Sequence, residues 1–183
     1  ELYADTNTSI ITASSTVPVD GAWVAGSKPS GPWRAWYGIT YGEDRFVACA
    51  SNCDDADQPM FCYSSDGLTW TNSEANSEII STGGTNSYYD IAYGNGTYVA
   101  VGPAGAKKFA YSTDGGVNWT PVSSPDSTSN WTGVTYGNGK FVAVAIESTN
   151  FNTAYSTDGI SWTGTNIDTG VGKGCWSVGY GNS

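Results

Sequence analysis

Three times the chain spells nearly the same phrase: Tyr-Gly, a tight turn, a run of the Phe-Val-Ala-Val type, a loop, then Tyr-Ser-x-Asp-Gly closing on Trp-Thr. The copies run from Tyr41 to Thr71, Tyr93 to Thr120 and Tyr136 to Thr163, and a fourth begins at Trp176-Ser177-Val178-Gly179-Tyr180-Gly181-Asn182. The Tyr-Gly anchors at 41, 93, 136 and 180 are 52, 43 and 44 residues apart, and the Asp-Gly anchors at 66, 114 and 158 are 48 and 44 apart. A short unit repeated in phase cannot bury its apolar face alone, so it must stack on its neighbours.

The third copy shows what one unit is. Val134-Thr135-Tyr136 reads as a first strand, and Gly137-Asn138-Gly139 supplies a turn of residues that tolerate positive φ. Lys140 to Ala145 is nearly continuous in apolar character, the mark of a strand covered on both faces. Residues 146–152 form a loop, Thr153 to Ser156 a third strand, and Asp158-Gly159 turns into a fourth at Ser161-Trp162-Thr163. On the first copy the same reading predicts strands near 39–41, 45–50, 61–64 and 69–71. No segment keeps a 3.6-residue period, so no long helix is expected. The expected fold is all-β: a β-propeller-like array of four-stranded antiparallel blades, with full blades at 33–73, 86–121 and 130–164. Asp20-Gly21-Ala22-Trp23 is a worn copy of the Asp-Gly turn, 46 residues before Asp66, making 8–26 a degenerate half blade. Residues 174–183 would start a further or shared blade. Residues 1–183 therefore read as one repeat domain and, opening on Glu1 and stopping inside a repeat, as part of a longer chain.

Composition narrows the functional classes. The formal net charge is −10, with seven basic residues of which only Lys107-Lys108 are adjacent, so no nucleic-acid partner is expected. No stretch approaches the ~20 apolar residues of a membrane span. Cys49, Cys53 and Cys62 cluster in one repeat and Cys175 lies far away; with no histidine in the chain, a thiolate zinc site is disfavoured. A disulfide suits an oxidising location, with Cys53–Cys62 the expected pair, because a loop cysteine adapts to bridge geometry, and Cys49–Cys62 the alternative. Asn52 to Gln58 carries three aspartates but lacks the alternation and closing Glu of a calcium loop, so a solvated hairpin tip is expected. No metal or cofactor is expected. The four Asn-x-Ser/Thr sequons, at Asn7, Asn95, Asn118 and Asn130, are what a chain this rich in Asn, Ser and Thr carries by chance.

Ser112-Thr113-Asp114-Gly115-Gly116-Val117-Asn118-Trp119 matches the Asp-box pattern S-x-D-x-G-x-x-W. Ser64, Asp66, Gly67 and Trp70 in the first copy, and Ser156, Asp158, Gly159 and Trp162 in the third, repeat it one residue shorter. Over about residues 33 to 183 the chain thus resembles the sialidase-type, or bacterial neuraminidase, repeat proteins, in which the box turns between the third and fourth strands of a blade. The Tyr-Gly-Asn-Gly-Lys-Phe-Val-Ala-Val companion resembles repeats common in phage tail, virion and secreted bacterial proteins. Physically, the box aspartates should pin turns through backbone N–H groups, Gly67, Gly115 and Gly159 should permit the bend, and the three tryptophans should lie buried between blades at matching positions.

The resemblance also implies what an enzyme would need, and the chain lacks it. Sialidases clamp the substrate carboxylate with three arginines, whereas only Arg34 and Arg45 occur here. No pair of carboxylates stands out for ordinary glycoside hydrolysis, and without histidine no Ser–His–Asp triad can form. The expectation is a non-enzymatic extracellular or virion scaffold whose partners are other subunits of an assembly. The alternative is a module binding a cell-surface glycan or receptor through Trp33, Trp36, Tyr37, Tyr88 and Tyr89. Because aromatics recur before each first strand, at Trp36, Tyr88, Trp131 and one residue late at Trp176, wedges in a core are favoured over a unique site.

Overall fold

A computed structural model describes residues 25–27, 29, 35–51, 59–74, 87–103, 109–146, 151–167 and 174–181. Among these residues twelve strands form three four-stranded antiparallel sheets, each a simple meander in chain order. The first blade holds β1 (Ala35–Gly42), β2 (Arg45–Ser51), β3 (Phe61–Ser64) and β4 (Thr71–Asn72). The second holds β5 (Asp90–Gly94), β6 (Thr97–Val101), β7 (Phe109–Ser112) and β8 (Thr120–Val122). The third holds β9 (Asn130–Gly137), β10 (Lys140–Ile146), β11 (Thr153–Ser156) and β12 (Thr163–Thr165). β1 packs on β5 and β5 on β9, so the first strands form the hub and the fourth strands the rim. The fold is a β-propeller array. No helix among the described residues is long and apolar enough to cross a membrane.

The sequence dictates each piece of a blade. The second strands are the most deeply covered, and β6 is buried at all five positions because the middle blade lies between the other two. Asn95-Gly96 and Asn138-Gly139 turn with positive φ at both residues, the type I′ geometry that suits two-residue hairpins. The first blade makes the same turn with Glu43 and Asp44, at φ 46° and 58°. The fourth strands start later than expected, at Thr71 rather than 69, because the Ser-x-Asp turn holds the residues before them. The first strands are longer than expected, and β1 carries a bulge between Trp36 and Gly38 that puts Tyr37 out of register. β9 has the same irregularity around Thr132.

Blades join along an aromatic seam. Phe61 of β3 stacks on Trp119 of the next blade at 3.7 Å between ring centroids and lies 4.7 Å from the Tyr88 ring. Phe109 of β7 repeats this against Trp162 and Trp131, edge-on. Nearer the hub, a second contact recurs three times. A Cβ built on Gly42 would strike the Tyr93 ring at 2.1 Å, one on Gly94 the Tyr136 ring at 2.0 Å, and one on Gly137 the Tyr180 ring at 2.0 Å. Each Tyr-Gly pair thus lends its glycine to the tyrosine of the following blade. Tyr98 adds a buried cross-blade bond, its hydroxyl donating to the Gly42 carbonyl, and burial pushes its pKa up to about 12.

Two partial units continue the array. Ser27 N donates to Leu68 O at 2.7 Å, as Glu74 N donates to Val117 O at 2.8 Å. Ser27 therefore stands where the end of a preceding fourth strand would stand; the half blade expected at 8–26 lies, but for Ala25 and Gly26, outside the described residues. At the other end, Cys175 N donates to Ala145 O at 3.0 Å, as Tyr88 N donates to Ala50 O. Cys175, not Trp176, thus occupies the place of Tyr88 and Trp131, and Trp176 is 73% exposed. That corrects the expectation that Trp176 is a shifted wedge.

Candidate functional site

The three Ser-x-Asp turns are built alike. Asp66 Oδ1 accepts from Leu68 N at 2.8 Å, Thr69 N at 2.7 Å and the Ser64 hydroxyl at 2.9 Å. Asp158 Oδ1 accepts from Ile160 N, Ser161 N and Ser156 Oγ, each at 2.8 Å. Asp114 reaches further, taking Asn118 N at 2.9 Å and the Asn118 amide at 2.8 Å, because this turn has one more residue. The Thr69 and Leu68 N–H groups hold the Asp66 carboxyl below its usual range, and those of Ser161 and Ile160 do so for Asp158. At Asp114 burial pushes upward, but the bonds from Asn118 outweigh it and the net direction is again down.

The indoles also bond within their own turns, Trp70 to Gly67 O at 3.2 Å, Trp119 to Gly116 O at 3.0 Å and Trp162 to Gly159 O at 3.1 Å. Gly116, not Gly115, is therefore the counterpart of Gly67 and Gly159; Gly115 is the inserted residue and lies against the Arg45 side chain. Trp119 is buried at 2% exposure, but Trp70 and Trp162 are only half-buried. Trp119 has both Phe61 and the Tyr88 wedge beside that Phe, whereas Trp70 faces the open start of the array.

Of the aromatics considered for binding, Tyr88 is core, packed on Phe61, with its hydroxyl pKa raised by burial. Tyr37 is 61% exposed and stacks on half-buried Tyr89 at 5.2 Å. Trp33 lies outside the described residues. Trp36, Trp70 and Tyr37 line a cleft of about 400 Å³ on the face of the first blade toward the chain start, floored by Gly38, Ala48 and Cys62. Strand spacing could not reveal this cleft; it exists because Trp36 and Trp70 flank the slot that Phe61 and Phe109 fill at the two later seams.

Other reactive groups are locked into packing. Cys49 is a buried thiol whose pKa is raised by desolvation. It pairs across the strands with Phe61 while Cys62 pairs with Ala48, so the two cysteines point to opposite faces of the sheet and the Cys49–Cys62 bridge is excluded. Cys53 and the 52–58 acidic segment lie outside the described residues. Asp90, on hub strand β5, accepts from Val134 N of the next blade and from its neighbour Ile91 N, both at 2.9 Å, and burial raises its pKa. Among the described residues no three His, Cys, Asp or Glu side chains are grouped to hold a metal.

No protein-family model and no curated protein matches the chain. Among solved structures it is similar to the computationally designed Ika4 protein, at 14% identity and TM-score 0.54, over 87% of this chain and 89% of that one. The computationally designed Ika8 protein aligns at 8% identity and TM-score 0.50, over 84% of this chain and 42% of Ika8. YCF48 from Cyanidioschyzon merolae aligns at 19% identity and TM-score 0.47, over 74% of this chain and 39% of YCF48. The chain thus spans about two fifths of the length of YCF48 and of Ika8. The designed propellers share the fold that the three stacked sheets define, a β-propeller.

Proposed function

We propose that this protein is a non-catalytic structural or adhesive scaffold, a rigid Asp-box propeller array working in an extracellular or virion assembly. One observation carries the reading: the polar groups that recur with the repeat are consumed inside it. Asp66, Asp114 and Asp158 each accept bonds from their own turn, and each box indole donates to its own turn's glycine carbonyl. A catalytic carboxylate is aimed at substrate, whereas one oxygen of each of these is held by N–H groups of its own turn. The arginine triad of sialidases has no counterpart, since the chain has two arginines. A hydrolase screen on sialosides and neutral glycosides should show no turnover; turnover that vanishes in Asp114→Ala with an unchanged melt overturns the scaffold reading.

A second reading has its own observation. The cleft walled by Trp36, Tyr37 and Trp70 offers flat rings of the kind on which sugar faces stack. A glycan array with the wild-type protein and Trp36→Ala separates the two readings: a hit lost in the variant favours the recognition module.

A further inference from the structure

Two of the three hairpins between first and second strands turn on Asn-Gly, at Asn95-Gly96 and Asn138-Gly139, and both turns have φ 49° and 75°. An asparagine ahead of a glycine can modify itself, because the glycine nitrogen, with no Cβ beside it, approaches the side-chain amide carbon unhindered. The two turns differ in what lies over them. Glu43 of the first blade reaches the turn of the second, its Oε1 3.7 Å from where a Gly96 Cβ would stand. The Gly96 N–H donates to the Tyr93 hydroxyl, which in turn donates to Glu43. At Gly139, among the described residues, a Cβ would meet nothing within 4 Å.

The difference comes from side-chain identity and not from place in the array. Asn95 stands in the second blade where Glu43 stands in the first, and its side chain, one methylene shorter, leaves Gly139 of the third blade uncovered. Glu43 and Asn95 are themselves exposed although a following blade packs beside each, so the exposure of Asn138, Gly139 and Lys140 belongs to the hairpin tip. Ring closure needs Asn138 to leave its left-handed conformation, so the reaction passes through local opening of the turn. A bare hairpin tip opens at the low end of the free-energy range within a folded protein. The second turn must also break the bond from Gly96 to Tyr93.

We propose that Asn138 is a self-modification site, converted in the folded protein to aspartate and isoaspartate. Gly139 N gives up its proton and bonds to Asn138 Cγ, the amide nitrogen takes up a proton and leaves as ammonia, and a succinimide ring remains. Water then adds to one of the two ring carbonyls and breaks its bond to the ring nitrogen. Opening at the backbone carbonyl leaves isoaspartate, with an extra methylene in the main chain; opening at Cγ leaves aspartate. The sum is asparagine plus water giving acid plus ammonia, with nothing oxidised or reduced. Either product adds one negative charge to a chain already at −10. Aspartate keeps the turn, as Glu43 and Asp44 do at positive φ in the first blade. Isoaspartate makes the loop too long for the pairing of Gly137 with Lys140 and loosens the hairpin. The site is independent of the scaffold and recognition readings.

The test is incubation of the 183-residue chain at mildly alkaline pH, folded and in urea, followed over time by tryptic mapping with mass spectrometry. Trypsin cuts after Arg45, Lys107, Lys108 and Lys140, so Asn95 and Asn138 fall in different peptides. Fragmentation assigns the converted residue, and labelling by an isoaspartate methyltransferase reports the rearranged product. The expected result is that Asn138 converts several-fold faster than Asn95 in the folded protein, and that this lead vanishes in urea, where neither turn is covered. An Asn138 that stays an amide in the folded protein, that only keeps pace with Asn95 or trails it, or whose lead persists in urea overturns the proposal.

Discussion

In the Ser-x-Asp turns, a single carboxylate oxygen serves several donors at once. Asp158 Oδ1 takes two backbone N–H groups and a hydroxyl, all at 2.8 Å. Removing such an acceptor hands its exposed donors to water and forfeits the net gain of the turn bonds, at ~0.5–1.5 kcal/mol. Asp114→Ala should therefore lower the melting temperature, and Trp119→Ala should lower it further, since truncating a buried aromatic costs ~3–5 kcal/mol. The pH dependence follows from the directions of the shifts. Asp66, Asp114 and Asp158 titrate below the usual range, so their stabilisation is present above the unfolded value of ~4 and is lost as pH falls through the folded values. Asp90 is shifted the other way, so its contribution is full at low pH and is lost as pH rises through its raised folded value. On acidification Asp90 thus offsets part of what the turn aspartates lose. Melts of wild type and Asp90→Asn from neutral pH to ~3 should show the steeper loss in the variant.

Elements were legible wherever the cause is local. The Asn-Gly turns, the continuous apolar second strands and the Ser-x-Asp turns each follow from a few adjacent residues, and the sheets lie where the repeat phrase puts them. What escaped is set by neighbours. The phrase leaves Tyr88 open to two readings, the favoured wedge and a tip aromatic, and Phe61, 27 residues away in sequence and 4.7 Å away in space, decides for the wedge. Trp176 reads as a wedge shifted by one, but the backbone bond to Ala145 fixes Cys175 in that place. Gly115 reads as the box glycine because it follows the aspartate, yet the indole bond picks out Gly116. Three substitutions test the element geometry. Asp44 sits at φ 58°, where glycine is unstrained, so Asp44→Gly should raise stability by ~1 kcal/mol in a urea titration. Gly94→Ala drives a methyl into the Tyr136 ring and should cost ~1–3 kcal/mol, while Gly179→Ala, with open space and Ala92 as its counterpart, should stay within ~0.5.

The tyrosine-on-glycine contact has a cost in folding. Because every seam uses the same tyrosine and the same glycine, nothing in that contact says which blade comes next. A nascent second blade can cover Gly42 correctly, but the third blade's tyrosine fits the same glycine, and so does one from another chain. Connectivity and departures from the pattern then mark the order, among them Asp90 on one hub strand, Gly115 inserted in one turn and Cys175 where an aromatic would stand. Repeats this similar risk assembling out of order while the chain is still folding. On that view the irregular residues are punctuation that keeps near-identical phrases in sequence, and erasing them should harm refolding yield more than it harms the finished fold.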